Sequence, residues 1–347
     1  MMKKGEWYRA RAPLRLSFGG GGTEIEPYLS AHGGVILNTT INRYVYATMT
    51  LTNDEVIFES VDRNITEKLS PASYYPPQEG ALSLHRAAYN HMVAAHHGGK
   101  PLPLHLCTYS DAPVGSGLGS SSTLMVAVVR CFDEALGLAL GEYDLASLAH
   151  KIERRDLGLS GGYQDHYAAA FGGFNFMEFR TDGTVIVNPL RIRFSILAEL
   201  EYAMMLFFTG ISRDSSSIID VQSSALTSDP QVLAAAHKIK ALAFEMKDYL
   251  LVGDIKKLAL TLHESWLAKR STAAAVSNDD IDDVYGKARA AGVWGGKVSG
   301  AGGGGFMMLI TDPARRAAVL QALPNAGAAV SSCTFTDEGA NAWRTKK

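Results

Sequence analysis

Apolar positions follow two rhythms in the first half of the chain. Residues 35–41, 44–51, 56–59, 104–109 and 174–179 are alternating or continuous apolar runs of strand length, whereas 82–97, 121–138 and 142–157 repeat apolar residues at helical spacing. Asn188 and Pro189, followed by the polar stretch 191–193, interrupt this pattern and mark a changeover. Beyond it, 202–208 reads as a strand and 215–226, 230–251, 255–270 and 279–291 read as helices. Residues 306–310 form an apolar strand, 313–322 a helix and 328–335 a last strand. The predicted fold class is α+β, with two domains divided as 1–190 and 191–347.

Three glycine-rich runs punctuate these elements. Between the strand at 104–109 and the helix at 121–138, residues 111–123 read DAPVGSGLGSSST. Gly115, Gly117 and Gly119 free the backbone to approach an anion, with Pro113 and Leu118 in the same loop. Ser116, Ser120, Ser121 and Ser122 add hydroxyls at a helix start, where unpaired N–H groups and the macrodipole favour phosphate. No GxxxxGK[ST] spacing occurs, so no P-loop lysine is available. Near the N-terminus, alternating apolar residues lead into glycines 19–22, and Gly20, Gly21, Gly22, Thr23 and Glu24 offer backbone and side-chain groups suited to a hydroxyl-rich ligand. The third run, 295–305, holds seven glycines between a helix and a strand. Lys297, Gly302 and Gly303 there are candidates for a second surface against phosphates or substrate. A GxGxxG spacing at Gly300, Gly302 and Gly305 leads into a strand instead of a helix, which excludes a dinucleotide fingerprint.

Composition narrows the classes. At 347 residues, with 47% hydrophobic and 20% charged residues, the chain suits two cores better than one. A net charge of −2 without a basic run argues against a nucleic-acid surface. Cys107, Cys131 and Cys333 are too few and too scattered for a disulfide framework or metal cluster, and they read as small buried hydrophobes. The ten histidines show no metal-ligand spacing, and His166 reads as a structural hydrogen-bonding residue. No signal-like or membrane-spanning apolar stretch is present, so the expectation is a cytoplasmic protein without a membrane partner.

The three runs, in this order from residue 19 to residue 305, resemble the family of small-molecule kinases that includes galactokinase, homoserine kinase, mevalonate kinase and phosphomevalonate kinase. The resemblance spans roughly residues 8–340. Residues 13–22, 161–178 and 297–304 look like the branch of sugar 1-kinases acting on D-glycero-D-manno-heptose 7-phosphate, and fucose 1-kinases share part of the pattern. One departure is Glu24, where an Asp is usual. The resemblance implies a ribosomal-S5-like ATP-binding domain over 1–190, a ferredoxin-like substrate domain over 191–347, and a site in the cleft between them. ATP, Mg²⁺ and a sugar phosphate are the implied ligands, and a homodimer is the candidate assembly.

Particular residues inherit roles from this resemblance. Asp165 follows the flexible stretch 158–162, and by its residues alone it suits either a helix cap or a carboxylate projecting into a cleft. The family places its catalytic Asp here, with Gly162 and Tyr163 beside it toward the substrate, and a cation where this chain has Arg15. Ser121 and Glu153 are the implied Mg²⁺ ligands, with Ser120 as the alternative hydroxyl. Arg213, Lys269 and Lys297, with Arg270, form the pool of cations for a distal phosphate. The implied activity is phosphorylation of the anomeric hydroxyl to a 1,7-bisphosphate for nucleotide-activated heptose and surface polysaccharide. A kinase for free fucose, mannose or galactose, or a non-catalytic ATP and sugar sensor, are the alternatives.

Overall fold

The structure, a computed structural model, describes residues 2–210 and 215–346. β1 (Glu6–Gly19) leads through α1 (Tyr28–His32) into β2 (Gly34–Leu51), one strand covering both runs predicted at 35–41 and 44–51. β3 (Val56–Ser60) and β4 (Ile65–Leu69) pair as an antiparallel edge hairpin. After α2 (Ser83–His96), β5 (Leu104–Ser110) inserts between β2 and β3 and runs parallel to β3. α3 (Ser120–Leu136), α4 (Glu142–His150) and α5 (Gln164–Phe171) follow, then β6 (Asn175–Phe179) and β7 (Val185–Pro189). Leu14, Leu16 and Phe18 of β1 and Val126, Val129 and Phe132 of α3 are fully buried in the resulting core. The apolar spacing of the helices is thus the surface that covers the sheet.

The second half opens with α6 (Phe194–Ala203), so the strand predicted at 202–208 begins only at Met204, as β8 (Met204–Phe208). α7 (Ser215–Ser228), α8 (Pro230–Val252), α9 (Ile255–Arg270) and α10 (Asp279–Ala290) match the predicted helices. Their starts have local causes: Asp229, Asp254 and Asn278 accept N–H hydrogen bonds from Gln231, Lys257 and Ile281. β9 (Val293–Val298) runs through the beginning of the third glycine run, which sequence alone presents as loop. β10 (Phe306–Thr311) is buried along its length because both faces are covered. Phe306, Met308 and Ile310 join the large core, while Met307 and Leu309 join a smaller one with Trp266, Tyr285 and Val298.

The chain end departs from the predicted last strand at 328–335. α11 (Arg316–Ala322), α12 (Ala326–Ala329) and β11 (Val330–Ser331) complete the second unit, whose sheet order is β11-β8-β10-β9. β12 (Phe335–Thr336) and β13 (Asn341–Lys346) then return to the first sheet, pairing with β2 and β1. The first sheet therefore takes strands from both sides of residue 190. Gly172, which ends α5, makes this return possible. Its φ is +69°, and a Cβ there would stand 2.3 Å from backbone atoms of Glu338 and Gly339.

Gly172→Ala combines a backbone conformation that only glycine adopts readily with a backbone clash, and is expected to cost on the order of 3 kcal/mol. Urea unfolding of the full chain measures this as a lowered midpoint with the slope little changed.

Candidate active site

A cleft of about 560 Å³ lies where the first glycine-rich loop, the N-terminal glycine loop and the start of α5 converge. Gly300 and Ala301 reach it from the second unit, as do Lys269 and Gln222. The loop and the third glycine run meet backbone to backbone: Phe306 N–H donates to Ser116 O at 2.8 Å, and a Cβ on Gly117 would stand 2.5 Å from Ser299 O. The glycine-rich runs thus form one surface.

Arg15 owes its direction to an irregularity in β1. The β1–β2 register slips between Pro13 and Arg15, and the Arg15 N–H donates to Leu118 O of the loop. Its guanidinium then crosses to Asp165, with Nε to Oδ1 at 2.7 Å and Nη2 to Oδ2 at 3.0 Å. Nη1 donates to Gly117 O at 2.6 Å. Asp165 lies in the first turn of α5, and Gln164 beside it accepts from Ser17 Oγ at 2.9 Å. The Arg15 side chain is 5% exposed and that of Asp165 22%, so the carboxylate is the member that faces the cleft. Gly119, with φ +79°, keeps the space before it open, since a Cβ there would lie 3.1 Å from Asp165 Oδ2.

A second carboxylate sits at the mouth of α3. α4 widens into a π-helical turn over Lys151–Asp156, which turns Glu153 fully inward while Lys151 and Arg155 stay exposed. Ser121 Oγ donates to Glu153 Oε1 at 2.6 Å, and His166 Nε2 lies 2.6 Å from Oε2. Burial alone would raise the Glu153 carboxyl, but the hydrogen bond and nearness of His166, then Arg154 and Ser121, outweigh it and hold it at about 2. Ser120 instead shares a hydrogen bond with Ser116, and Arg154 holds Ser122 at 3.0 Å.

The end of the cleft beyond Asp165 gathers buried charge. The Glu24 carboxylate folds back to accept from Gly22 N–H at 2.8 Å, and burial raises its pKa. A Cβ on Gly162 would stand 2.5 Å from its Cγ, so the longer acid fits because residue 162 has no side chain. A Cβ on Gly21 would meet Ser17 Oγ, Lys269 Nζ and Lys297 Nζ at 3.5, 3.7 and 3.8 Å, which shows the two lysines converging beside this backbone. Lys269 Nζ donates to Gly300 O at 2.7 Å. Burial lowers Lys269 to about 8, with Arg15 also lowering it and Glu24 and Asp165 opposing. Burial, then Lys269 and Arg15, pulls Lys297 well below the ordinary lysine value.

Of the predicted residues, Arg15, Gly21, Gly22, Glu24, Gly115, Ser116, Gly117, Gly119 to Ser122, Glu153, Gly162, Asp165 and Lys269 line the cleft. Others are its supports. Thr23 is fully buried with its hydroxyl spent on Val35 O and N, and Gly20 packs against the same carbonyl. Leu118 buries its side chain in the core, and Pro113 accepts the turn hydrogen bond from Ser116. Tyr163 stacks on His150, while Gly302 and Gly303 pack on Val276. Arg213 lies outside the described residues, and Arg270 pairs with Asp282.

Sequence reasoning missed Arg154, Gln164 and Ser17. It also missed the far wall of the cleft, which includes Ser60, Asp62, Arg63 and His85. For Glu153, by contrast, Leu145, Ala149 and Ile152 trace an apolar stripe on which it falls, a signal that it turns inward.

Known proteins account for this arrangement. The model described as GHMP kinases N terminal domain matches residues 83–173, and that described as GHMP kinases C terminal matches 246–329. The chain belongs to the GHMP kinases, a family of ATP-dependent phosphotransferases, and is itself a kinase. It is 43% identical to the D-glycero-alpha-D-manno-heptose 7-phosphate kinase of Campylobacter jejuni, over 97% of this chain and 98% of that one. A solved D-glycero-D-manno-heptose 1-phosphate kinase from Bacteroides thetaiotaomicron superposes with a TM-score of 0.83 at 39% identity, covering 98% and 100% of the two chains. Lactococcus lactis galactokinase, at 18% identity and a TM-score of 0.74 over 96% and 95%, shares the fold. Among the described residues no helix is long and apolar enough to cross a membrane.

Asp165→Asn keeps the shape of the Arg15 contact and removes the carboxylate that the sequence resemblance proposes as the proton acceptor. Turnover should fall by about 10² to 10⁴-fold while nucleotide affinity stays near wild type. Steady-state kinetics beside nucleotide titration of the folded variant separates the two.

Proposed function

We propose that this chain is a sugar-phosphate kinase that transfers the terminal phosphoryl group of ATP to the anomeric hydroxyl of D-glycero-D-manno-heptose 7-phosphate. The product is the 1,7-bisphosphate, for nucleotide-activated heptose and surface-polysaccharide synthesis in the cytoplasm. The observation that carries the sugar-phosphate reading is the pair of buried lysines, Lys269 and Lys297, beside Gly21. Two cations with little solvent are a costly arrangement unless an anion joins them, and a phosphate ester supplies that charge. The two heptose kinase relatives differ in name over where the phosphate stands. An anomeric oxygen already esterified cannot accept again, so we take the 7-phosphate as acceptor and the 1-phosphate as the new ester.

The geometry supports a direct transfer. Asp165 Oδ1 accepts from Arg15 Nε at 2.7 Å and Gln164 Nε2 at 3.4 Å, whereas Oδ2 accepts from Arg15 Nη2 at 3.0 Å and faces the space that Gly119 keeps open. Oδ2 therefore takes the proton of the sugar hydroxyl as its oxygen bonds to the γ-phosphorus and ADP departs. Arg15 fixes both carboxylate oxygens so that the base does not swing away. The N–H groups at the start of α3 receive the phosphates. Ser121 and the buried, ionised Glu153 are hard oxygen donors already in contact, and they fit Mg²⁺, which when bound neutralises charge on the phosphates. Ser120, turned to Ser116, is the weaker ligand.

Two charge-assisted hydrogen bonds of about 1.5 to 3 kcal/mol each should make heptose 7-phosphate better than the free heptose, mannose or fucose by about 10² or more in kcat/KM. Lys269→Met should shrink that gap. Lys269 titrates at about 8, so its charge is present below that value and is lost as pH rises through it. The advantage of the phosphorylated sugar should therefore decline above pH about 8 in the wild type, and this limb should vanish in Lys269→Met. Matched kcat/KM values for sugars with and without the phosphate, taken across pH, measure both. A preference for a free sugar would move the assignment to that substrate, and no ADP release with any sugar would favour a sensor.

A further inference from the structure

On the first sheet, away from the cleft, three dissimilar donors meet. β3 and β5 are parallel neighbours with Glu59 opposite Cys107 and Ile57 opposite His105. Strand alternation puts Glu59, His105 and Cys107 on one face, while Phe58, Leu104 and Leu106 enter the core on the other. His105 Nε2 lies 2.7 Å from Glu59 Oε2, and the imidazole, thiol and carboxylate donor atoms all fall within 4.8 Å of one another. The His105 and Glu59 side chains are 25% and 31% exposed, and Cys107 is half-buried, so the group is shielded yet reachable. Cys131 and Cys333 are the buried apolar residues that their sequence suggests, and Cys107 is not.

We propose that Glu59, His105 and Cys107 form a binding site for a zinc-class divalent cation that clamps β3 to β5. One nitrogen, one sulfur and one oxygen donor suit a borderline-soft ion with tetrahedral preference, and they do not suit Mg²⁺. Metal–ligand bonds of about 2.0 to 2.3 Å place tetrahedral donors roughly 3.3 to 3.8 Å apart, so side-chain rotation of about 1 Å closes the site. The fourth position is left to water. Binding releases the thiol proton, as the sulfur exchanges H⁺ for the metal. In the metal-free state burial and the facing Glu59 push that thiol up to about 11, and a cation between the two groups removes the repulsion that Glu59 imposes on a thiolate.

The clamp has a mechanical consequence. Ser60 follows Glu59 directly, and Ser60, Asp62 and Arg63 line the far wall of the cleft. Thr108 Oγ1 donates to Glu59 O at 3.3 Å, and Val61 N–H donates to Thr108 O at 2.9 Å, so β5 already holds this wall through Glu59 and its neighbours. An ion at Cys107 braces the same junction from the outer face.

The test uses the full chain freed of metal by a chelator and titrated with Co²⁺ and with Zn²⁺. One equivalent of Co²⁺ should give thiolate-to-cobalt charge-transfer absorption, and Zn²⁺ should displace it and raise Tm. Cys107→Ser should abolish the absorption and weaken Zn²⁺ at least about tenfold, and His105→Gln should weaken it similarly. Both variants should keep basal kinase activity, which also reports that they fold. Absent charge-transfer absorption in the wild type, or Zn²⁺ affinity unchanged in two active variants, would overturn the proposal.

Discussion

The cleft hangs on one guanidinium. Arg15 spans 150 residues to Asp165, 102 to Gly117 and 284 to Ser299, so its hydrogen bonds join β1, the start of α5, the first glycine-rich loop and the third glycine run. Each partner is a carboxylate, a backbone carbonyl or a hydroxyl that accepts from the guanidinium, and Ser299 among them is fully buried. The planar fork satisfies them together, which a lysine ammonium could not do with the same geometry. Displacing Arg15 would release Asp165, the loop and the third glycine run at once.

Around that tie the cleft separates charge by role. At one end three buried basic side chains, Arg15, Lys269 and Lys297, lie near two acids, Glu24 and Asp165. Burial pulls both lysines below the ordinary lysine value, and an anionic ligand beside them would favour their charged forms. At the mouth of α3 Glu153 is surrounded by Ser121, His166 and Arg154 and stays ionised despite complete burial. A carboxylate held charged in this way is committed to attracting a cation or holding donors, and it is unsuited to taking a proton. Asp165, partly exposed, is the carboxylate we propose for that task.

The third glycine run shows how composition can mislead. Its glycines look like a flexible connector, yet Gly295 and Gly296 lie in β9, where a Cβ would stand 1.8 Å from Ala259 O and 2.2 Å from Met308 O. The run needs glycine because α9 and β10 pass too close for side chains. Glycine here serves packing density as much as ligand access.

What the sequence determined by itself was whatever depends on neighbours in the chain. The glycine-rich loop before α3, the capped helices α8 to α10 and the apolar β10 follow from local dihedral freedom, capping and periodicity, and they were legible with the α+β class. Asp165 and Glu153 were legible as candidates through a resemblance carried by those motifs. Only the tertiary structure decided the rest. β13 is mostly exposed and polar, so it carries no apolar rhythm and is a strand because β1 offers an edge. α6 buries Ile196, Leu200 and Ala203 at helical spacing, but its end abuts the apolar run of β8, so where helix gives way to strand is set by the pairing of β8 in the second sheet. Thr23 and Glu24 are chemically equal candidates in sequence, but the close approach of Val35 takes the threonine hydroxyl and leaves the acid facing the cleft. Which lysines enter the cleft is likewise a question of burial and approach between distant segments, and no local pattern encodes it.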